Sequence, residues 1–259
     1  MLKFVIFLGV VVATLALPAD YNQIDADDHA EELENQFQGD MIISQSDIDS
    51  FNGLIDERYR WPNNVVPYYI NMALFNAEQA AYIHLAAKTI NDLNCVTLVN
   101  RTTETDYIEV SGDSTGCSSN VGRVGGRQIL RLKPNVPESG CFRLYTIVHE
   151  FVHALGFHHM QSSHDRDEFV RIVWENIQAG YENNFSLYGV SRVSHFAVPY
   201  DIGSMMHYGP TGFSINGQPT IVPLHPLGGQ IMGQRTHMTE YDKLRIKHMY
   251  GCVPTPHNA

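Results

Sequence analysis

His149, His153 and His159 stand with one glutamate and one glycine in HEFVHALGFHH, residues 149–159, at a spacing that could hold a metal ion. In a helix, residues four apart lie on one face, so His149 and His153 could direct ring nitrogens at one point about 2.0–2.1 Å away, the usual zinc–nitrogen distance. Gly156 can take the positive-φ conformation that ends a helix and turns the chain. His159 would then return as a third ligand, and a fourth position would stay open for water.

Glu150 lies one position after the first histidine, rotated by about 100° around the helix axis, which suits a carboxylate that bonds a zinc-activated water. It is therefore predicted to act as a general base. A bare HExxH match also fits a helix with surface histidines, but the full HExxHxxGxxH pattern has a chance probability on the order of 10⁻⁴ for this composition. The pattern predicts a site for one Zn²⁺, where the ion would lower the pKa of water to about 7 and polarise a peptide carbonyl.

This extended motif followed by a methionine turn is the metzincin signature, and SMMHYG at residues 204–209 supplies the turn. With RWPNNVVPY, NRTTETDYIEV and GQRTHMTEYDK, these stretches make the chain resemble the astacin metalloproteases from about residue 52 to the end. The HYG after the turn disfavours another metzincin branch. The resemblance implies a zinc-dependent endopeptidase with protein or peptide substrates.

The resemblance also implies the fold class, which is α+β. The expected catalytic domain, 52–259, is a metzincin-like zinc protease of two subdomains. The first, about 52–159, would hold a mixed twisted sheet and two long helices. The second, about 160–259, would be mostly irregular and end in a helix.

Further site residues follow from the resemblance alone. Met206 is implied to lie beneath the zinc, although a buried methionine is more often core filler. Tyr208 is implied to be a fifth zinc ligand that swings away to hydrogen-bond the oxyanion, where a donor is typically worth a few kcal/mol. Arg235 matches a position that some relatives use to prefer an acidic residue after the cut; a surface arginine that caps the last helix is the alternative.

The segment before the catalytic domain is acidic: residues 20–50 hold ten aspartates and glutamates and no lysine or arginine. Within it, the low hydrophobicity and high charge of DADDHAEELENQ, residues 25–36, predict a mobile or weakly helical segment without its own core. FQGD in this stretch matches the family's propeptide motif, which implies an inhibitory propeptide over residues 18–51 whose Asp40 blocks the zinc in the zymogen. An activating protease would then cut near Phe51-Asn52.

Two positions depart from the family pattern. Phe51 stands where many relatives have a basic residue before the cut, which favours a chymotrypsin-like or metalloprotease activator over a trypsin-like one. Met160 stands where many relatives have a glutamate that engages the new N-terminus. Since methionine cannot accept that bond, the mature amine must be held differently or stay mobile.

The sequence predicts some of the helices and strands that must position these residues. NNVVPYYI, DYIEVSG and RQILRL read as strands, with a Gly- and Ser-rich loop over DSTGCSSNVGRVGG between the last two. A helix is predicted over 77–94, with Ala80, Ile83, His84, Ala87 and Ile90 at helical spacing. The motif helix follows, and TEYDKLRIKHMY predicts a last helix capped by Thr239.

The N-terminus predicts export. Residues 1–17 place one lysine before an apolar run too short to span a bilayer, which is typical of a secretory signal peptide; a signal-anchor helix is the alternative. Four cysteines, without a CxxC spacing, suit two disulfides in an oxidising compartment. Three pairings are open from the sequence alone, and the resemblance implies Cys95–Cys252 and Cys117–Cys141. Asn100 and Asn184 match the glycosylation pattern.

The net charge of the expected catalytic domain argues against some classes of binding partner. From position 52 onward the chain has 16 basic and 18 acidic residues, a net charge of −2. A near-neutral domain has no electrostatic footprint for nucleic acid or an anionic membrane. We therefore expect neither as a partner. Export is expected from the signal peptide, and the protein is expected to be a monomer.

The main rival from another functional class is a binding protein that keeps zinc for structure or display. Glu150 speaks against this reading, because a structural zinc site usually fills all four positions with protein ligands and needs no general base. The remaining histidines are expected to be structural or exposed, since three ligands are already supplied: His84, His195, His207 and His225.

Overall fold

The structure, a computed structural model, describes residues 30–33, 36–43, 56–189 and 194–255. The predicted signal peptide, 1–17, and the predicted cut at Phe51-Asn52 lie outside these ranges. Within them, no helix combines the length and apolar character needed to cross a membrane.

A six-stranded mixed sheet forms the first half of the fold. Its strands lie in the order β1-β5-β6-β4-β2-β3, and every neighbouring pair is parallel except β5 and β6. The predicted strands around Val66, Ile108 and Leu130 are confirmed, and each of these side chains is fully buried. The strand bounds are Met41–Ile42 (β1), Val65–Ile70 (β2), Thr97–Asn100 (β3), Tyr107–Ser111 (β4), Cys117–Asn120 (β5) and Arg127–Leu132 (β6).

Strand β5 corrects the sequence interpretation, which placed a loop over DSTGCSSNVGRVGG. Its residues, CSSN, carry no apolar alternation, so pattern reasoning had no signal for a strand. The strand exists because its main chain pairs with β6 on one side and with β1 on the other. Backbone pairing therefore decides the structure here, and side-chain pattern does not.

Helix α1 spans Ala77–Asn91, three residues shorter than predicted. Asn76 caps its start in a reciprocal capping box with Gln79. The chain leaves the helix in a turn that ends at Asn94, which has a left-handed φ of 53°. His84 is exposed rather than on the buried face, and its Nδ1 lies 2.6 Å from the Tyr68 hydroxyl.

Helix α2, Leu144–Ala154, is the motif helix and runs through the core. All its residues from Thr146 to Ala154 are buried, and it packs against α1 and β5. Because α2 touches both a helix and the sheet, it needs apolar side chains around most of its circumference, as its sequence provides. The polar motif residues point to the remaining side, which faces the second half of the chain.

That second half has little regular structure, as expected. It contains a short antiparallel pair, Val170–Ile172 (β7) with Ile221–Pro223 (β8), several single turns of 3₁₀ helix, and the last helix α3, Glu240–Met249. Thr239 caps α3 as predicted, in a capping box with Asp242. A separate apolar cluster that includes Phe185, Phe213 and Ile221 holds this half together.

Two disulfides have the pairing that the resemblance implied. Cys95 bonds Cys252, 157 residues away, and ties the start of β3 to the segment after α3. Cys117 bonds Cys141, 24 residues away, and ties β5 to the turn before α2. Both cross-links flank the elements that carry the motif.

We expect the longer cross-link to contribute more stability. In the chain-entropy account, opening the 157-residue loop of Cys95–Cys252 costs about 5 kcal/mol, against about 3.5 kcal/mol for the 24-residue loop of Cys117–Cys141. Urea unfolding of the paired variants Cys95→Ala/Cys252→Ala and Cys117→Ala/Cys141→Ala measures both losses. A larger loss for the second pair would contradict loop closure as the dominant effect.

Candidate metal centre and active-site cleft

Helix α2 and the chain after it bring the three motif histidines together. His149 and His153 lie on one face of α2, and both are fully buried. Gly156 has a φ of 112°, the positive value predicted for the turn after the helix. His159 follows it and is 2% exposed. The ring centroids of these histidines are 4.5 to 5.4 Å apart.

Carbonyl oxygens fix the rings of two of these histidines. The Nδ1 of His149 lies 2.8 Å from the carbonyl oxygen of Met205, and that of His153 lies 2.6 Å from the carbonyl oxygen of Phe157. Because a carbonyl oxygen only accepts, each Nδ1 carries the proton and each Nε2 is left with a lone pair. Burial lowers the pKa of His149 below its ordinary value, so the neutral form is favoured.

The carboxylate of Asp40 lies among the three Nε2 atoms. Its Oδ2 is 3.0 Å from His149 Nε2 and 3.1 Å from His159 Nε2, and its Oδ1 is 3.4 Å from His153 Nε2. Asp40 comes from the acidic segment and is fully buried. Four ligand atoms from two distant parts of the chain thus converge, all within 4.8 Å of one another.

This arrangement fits a zinc ion. Lone pairs of neutral imidazoles facing a carboxylate repel one another unless a cation lies between them. Asp40 Oδ1 and His153 Nε2 are buried and have no hydrogen-bond partner among the described residues, as expected for atoms that bind a metal. The observed separations are close to the edge of a tetrahedron with bonds of about 2.0–2.1 Å, which is about 3.3 Å.

Glu150 lies beside this centre. It is fully buried, and neither carboxylate oxygen has a hydrogen-bond partner among the described residues. Ligand atoms of Glu150, His149 and Glu31 lie within 4.8 Å of one another. Burial, together with the carboxylates of Asp40 and Glu31, raises the pKa of Glu150 well above its usual range. A carboxyl group in this setting binds a proton more readily than an exposed one.

Tyr208 lies on the other side of the centre. Its ring contacts the His159 ring at a centroid distance of 4.6 Å. Its hydroxyl donates a 2.6 Å hydrogen bond to the main-chain carbonyl of Gln38 in the acidic segment. Burial raises the pKa of Tyr208 well above its ordinary value, so the hydroxyl keeps its proton and acts as a donor.

Met206 is 3% exposed and lies in the turn that follows Ser204. The backbone N–H of Met160 donates to the Met206 carbonyl at 2.8 Å, and Met205 supplies the carbonyl that holds His149. Asp242, in α3, accepts hydrogen bonds from the Ser204 hydroxyl and the Met205 N–H. Sequence reasoning missed Asp242 as a support of this turn, because its only local signal is that of a helix cap.

Arg235 does not cap α3 from the surface. Its side chain is 9% exposed and forms an ion pair with Glu31 of the acidic segment, with Nε 3.0 Å from both carboxylate oxygens. Burial by itself raises the pKa of Glu31, but Arg235 and other charges bring it below its ordinary value. Glu31 Oε2 also lies 4.0 Å from His149 Nε2. The cleft beside the metal centre therefore holds a carboxylate on a buried arginine, and sequence reasoning missed Glu31.

The described part of the acidic segment lies along the open edge of the sheet. Its β1 pairs in parallel with β5, the Cys117 N–H donates to the Ala30 carbonyl at 3.0 Å, and the Ser119 N–H donates to the Asp40 carbonyl at 2.8 Å. These residues form turns and a short strand. The described residues of DADDHAEELENQ, 30–33 and 36, form no helix, which corrects the expectation of a weakly helical segment there. Edge pairing supplies the order that the composition alone does not.

The backbone conformation and close packing at position 39 explain why FQGD has a glycine there. Gly39 has a φ of 83°, and a Cβ at this position would lie 2.5 Å from the Glu31 carbonyl oxygen and 2.8 Å from the Phe213 ring. Only glycine fits such a position without moving backbone. The tight turn at Gly39 brings Glu31 and Asp40 to the same cleft.

Two remaining expectations concern Met160 and the glycosylation pattern. Met160 is buried, 8% exposed, directly after His159. Asn184 is 7% exposed, and its Oδ1 accepts a hydrogen bond from the Gln38 N–H, so a glycan does not fit there. Asn100, at the end of β3, is exposed.

Comparisons with known proteins agree with this geometry. A family model described as "Astacin", a peptidase family, matches residues 53–251. "Zinc metalloproteinase nas-4" of Caenorhabditis elegans is 38% identical over 195 residues, which are 74% of this chain and 59% of that protein. "Seminal metalloprotease 1" of Drosophila melanogaster is 37% identical over 246 residues, 93% of this chain and 96% of that protein.

Among solved structures, high choriolytic enzyme 1, described as a hatching enzyme zinc-protease from the medaka fish Oryzias latipes, matches with a TM-score of 0.67 and 38% identity. The match covers 75% of this chain and 94% of that one. The chain thus shares its architecture with a zinc protease over most of its length.

Proposed function

Because this chain belongs to the astacin family of zinc metalloproteases, we propose that it is a secreted zinc endopeptidase, made as a zymogen, that hydrolyses peptide bonds of protein substrates. The observation that carries the proposal is the buried convergence of three histidine Nε2 atoms beside a glutamate that has no hydrogen-bond partner within the described ranges. The ligands would be His149, His153 and His159, with one Zn²⁺ at this centre.

The chemistry is divided between the ion and the side chains. Zinc, when bound, polarises the scissile carbonyl and lowers the pKa of water. Glu150 accepts the proton of the attacking water and passes it to the leaving amine. Burial, the largest cause of its raised pKa, supports this role. Tyr208, also a possible fifth ligand, donates its hydroxyl to the carbonyl oxygen as negative charge develops there. In the structure, the Tyr208 hydroxyl donates to the main-chain carbonyl oxygen of Gln38, which is the same kind of acceptor as the carbonyl oxygen of a substrate.

The acidic segment would keep the enzyme inactive until it is removed. Asp40 would occupy the position that water needs, and β1 covers the edge of β5, along which an extended substrate would lie. In this proposal residues 18–51 are the propeptide and 52–259 the catalytic domain, divided near residue 159. An activating protease would cut near Phe51-Asn52, and Met206 would support the centre from beneath.

Secretion is supported by the apolar N-terminal stretch and by the two disulfides, which persist in oxidising compartments. The near-neutral charge from position 52 onward gives no reason to add nucleic acid or a membrane as a partner. We propose a monomeric catalytic domain that acts on proteins or peptides.

The proposal is tested by removing the propeptide and measuring cleavage of a mixed denatured-protein substrate. Activity should disappear with a chelator and return when zinc is added. A correctly processed chain that binds zinc but cuts nothing in this mixture would favour the rival zinc-binding protein.

Arg235 would select substrates with an acidic residue directly after the cut, because it already holds the Glu31 carboxylate beside the metal centre. A hydrogen bond to a charged group contributes about 1.5–3 kcal/mol, so Arg235→Gln should slow cleavage of such peptides by roughly 10- to 150-fold. Matched peptides with glutamine at that position should be affected little. The measurement is kcat/KM for each peptide pair.

The exposed Arg171 offers a matched control, as Arg171→Gln removes the same charge outside the cleft. If Arg235→Gln leaves the ratio between acidic and neutral peptides unchanged, this arginine does not read the substrate, although the protease proposal itself would stand.

A further inference from the structure

A second group of metal-ligand side chains lies outside the catalytic centre. It consists of His164 and Asp165, which follow the third histidine of the motif, and His195 from a later segment. The Nε2 of His195 lies 3.0 Å from His164 Nδ1 and 3.2 Å from Asp165 Oδ1. The Ser163 hydroxyl is 3.0 Å from the same nitrogen. Three polar atoms thus surround one imidazole nitrogen.

One ring nitrogen cannot satisfy all of these neighbours, since it offers either one proton or one lone pair. If His195 Nε2 donates to one neighbour, it cannot also bond the other two, although the Ser163 hydroxyl also lies 3.4 Å from His195 Nδ1. Asp165 Oδ1 shows the consequence, because it is buried and has no hydrogen-bond partner among the described residues. A cation held between the donor atoms would satisfy them together.

The same signature marks the catalytic centre. There too, imidazole Nε2 atoms lie 3.0 to 3.4 Å from a carboxylate, and one oxygen of that carboxylate, Asp40 Oδ1, is buried with no hydrogen-bond partner in the described part of the chain. In both groups the ligand atoms lie within 4.8 Å of one another, and two nitrogens and an oxygen are a donor set that zinc accepts. The second group differs in having two histidines rather than three.

We propose that His164, Asp165 and His195 form a second site for a divalent cation of the Zn²⁺ type. The ligand atoms are His164 Nδ1, His195 Nε2 and Asp165 Oδ1, and solvent or the Ser163 hydroxyl completes the coordination. The ion would fasten the segment at residues 194–198 to the turns after His159. His195, read from the sequence as structural or exposed, would then be a ligand.

The residues around the second site determine how tightly it would bind a cation. Burial lowers the pKa of His195, against the opposing effect of Asp165, so the neutral ligand form is favoured at neutral pH. The positive charge of Arg245 acts on the same histidine and opposes a cation. His164 is exposed, so an ion can enter without unfolding the chain. We expect weaker binding here than at the three-histidine centre.

The test measures zinc bound to the full chain at equilibrium with a fixed micromolar concentration of free zinc, by elemental analysis. The parent should hold two zinc ions per chain, and His164→Ala should hold half as much. His225→Ala is the matched control, because His225 is exposed and belongs to neither metal group. Cobalt titration should give two saturable absorption phases for the parent and one for His164→Ala.

Two further variants distinguish loss of the second ion from misfolding and from loss of the catalytic ion. Asp165→Asn keeps the shape of the side chain and should also lose the second ion, while His153→Ala should lose the catalytic ion and keep the second. The site is therefore tested independently of protease activity. A parent with one zinc ion per chain, or a His164→Ala variant with the parent's zinc content and an unchanged thermal midpoint, would overturn the proposal.

Discussion

Replacing Glu150 by glutamine should abolish most peptide-bond hydrolysis while leaving the bound zinc in place. The amide has the size of the carboxyl group but cannot accept a proton from water. A positioned general base contributes about 10²- to 10⁴-fold, so kcat/KM of the processed enzyme should fall by that factor. The zinc content should equal that of the parent, because Glu150 is not among the atoms that converge on Asp40.

Glu175→Gln serves as the control, since Glu175 is an exposed glutamate outside the cleft. Steady-state kinetics on one peptide and elemental analysis of the same samples separate a chemical defect from a lost metal. A Glu150→Gln enzyme with parental kcat/KM would rule out the general-base role. If zinc were lost as well, Glu150 would instead be a structural support of the site.

Local spacing made part of this centre predictable from the sequence. His149, His153 and Glu150 lie within a single helix turn of one another, so helix geometry alone fixes their mutual directions. Gly156 predicts the turn after the helix, because glycine adopts a positive φ without strain and the structure has this conformation there. Helix α3 was readable for the same reason, as Thr239 and Asp242 form a local capping box.

Contacts between distant segments were not predictable in this way. Glu31 meets Arg235 across 204 positions, and no local pattern encodes that pairing. Strand β5 is ordered by main-chain hydrogen bonds, which every residue except proline offers, so its side chains carry no signal. Asp40 was found only through the family resemblance, because an acidic residue after a glycine is by itself an ordinary turn.

Under the proposal of a zymogen, these long-range contacts would let one segment hold the enzyme inactive at two points. Asp40 lies against the histidine nitrogens, and Glu31 lies on Arg235, with the tight turn at Gly39 between them. The first contact would block the metal and the second the pocket for the substrate side chain. Because both residues come from one short segment, its removal would free both points together.

Asp40→Asn should therefore make the uncut full chain active. The neutral amide occupies the same space but loses the charge that a cation and its ligands attract. Removing one partner of a buried charge pair costs about 3–5 kcal/mol, so peptide cleavage by the uncut chain should rise by at least about 100-fold. Glu31→Gln, which leaves Asp40 on the metal, should give a much smaller rise.

The assay uses a short quenched peptide, with mass spectrometry of the same sample to show that the chain is still uncut. Asp92→Asn is the control, because Asp92 is an exposed aspartate paired with Lys88 at the end of α1. After propeptide removal, parent and Asp40→Asn should have equal kcat/KM, since the altered residue is gone. An uncut Asp40→Asn chain as inactive as the parent, with normal activity after processing, would show that latency depends on coverage of the β5 edge rather than on this carboxylate.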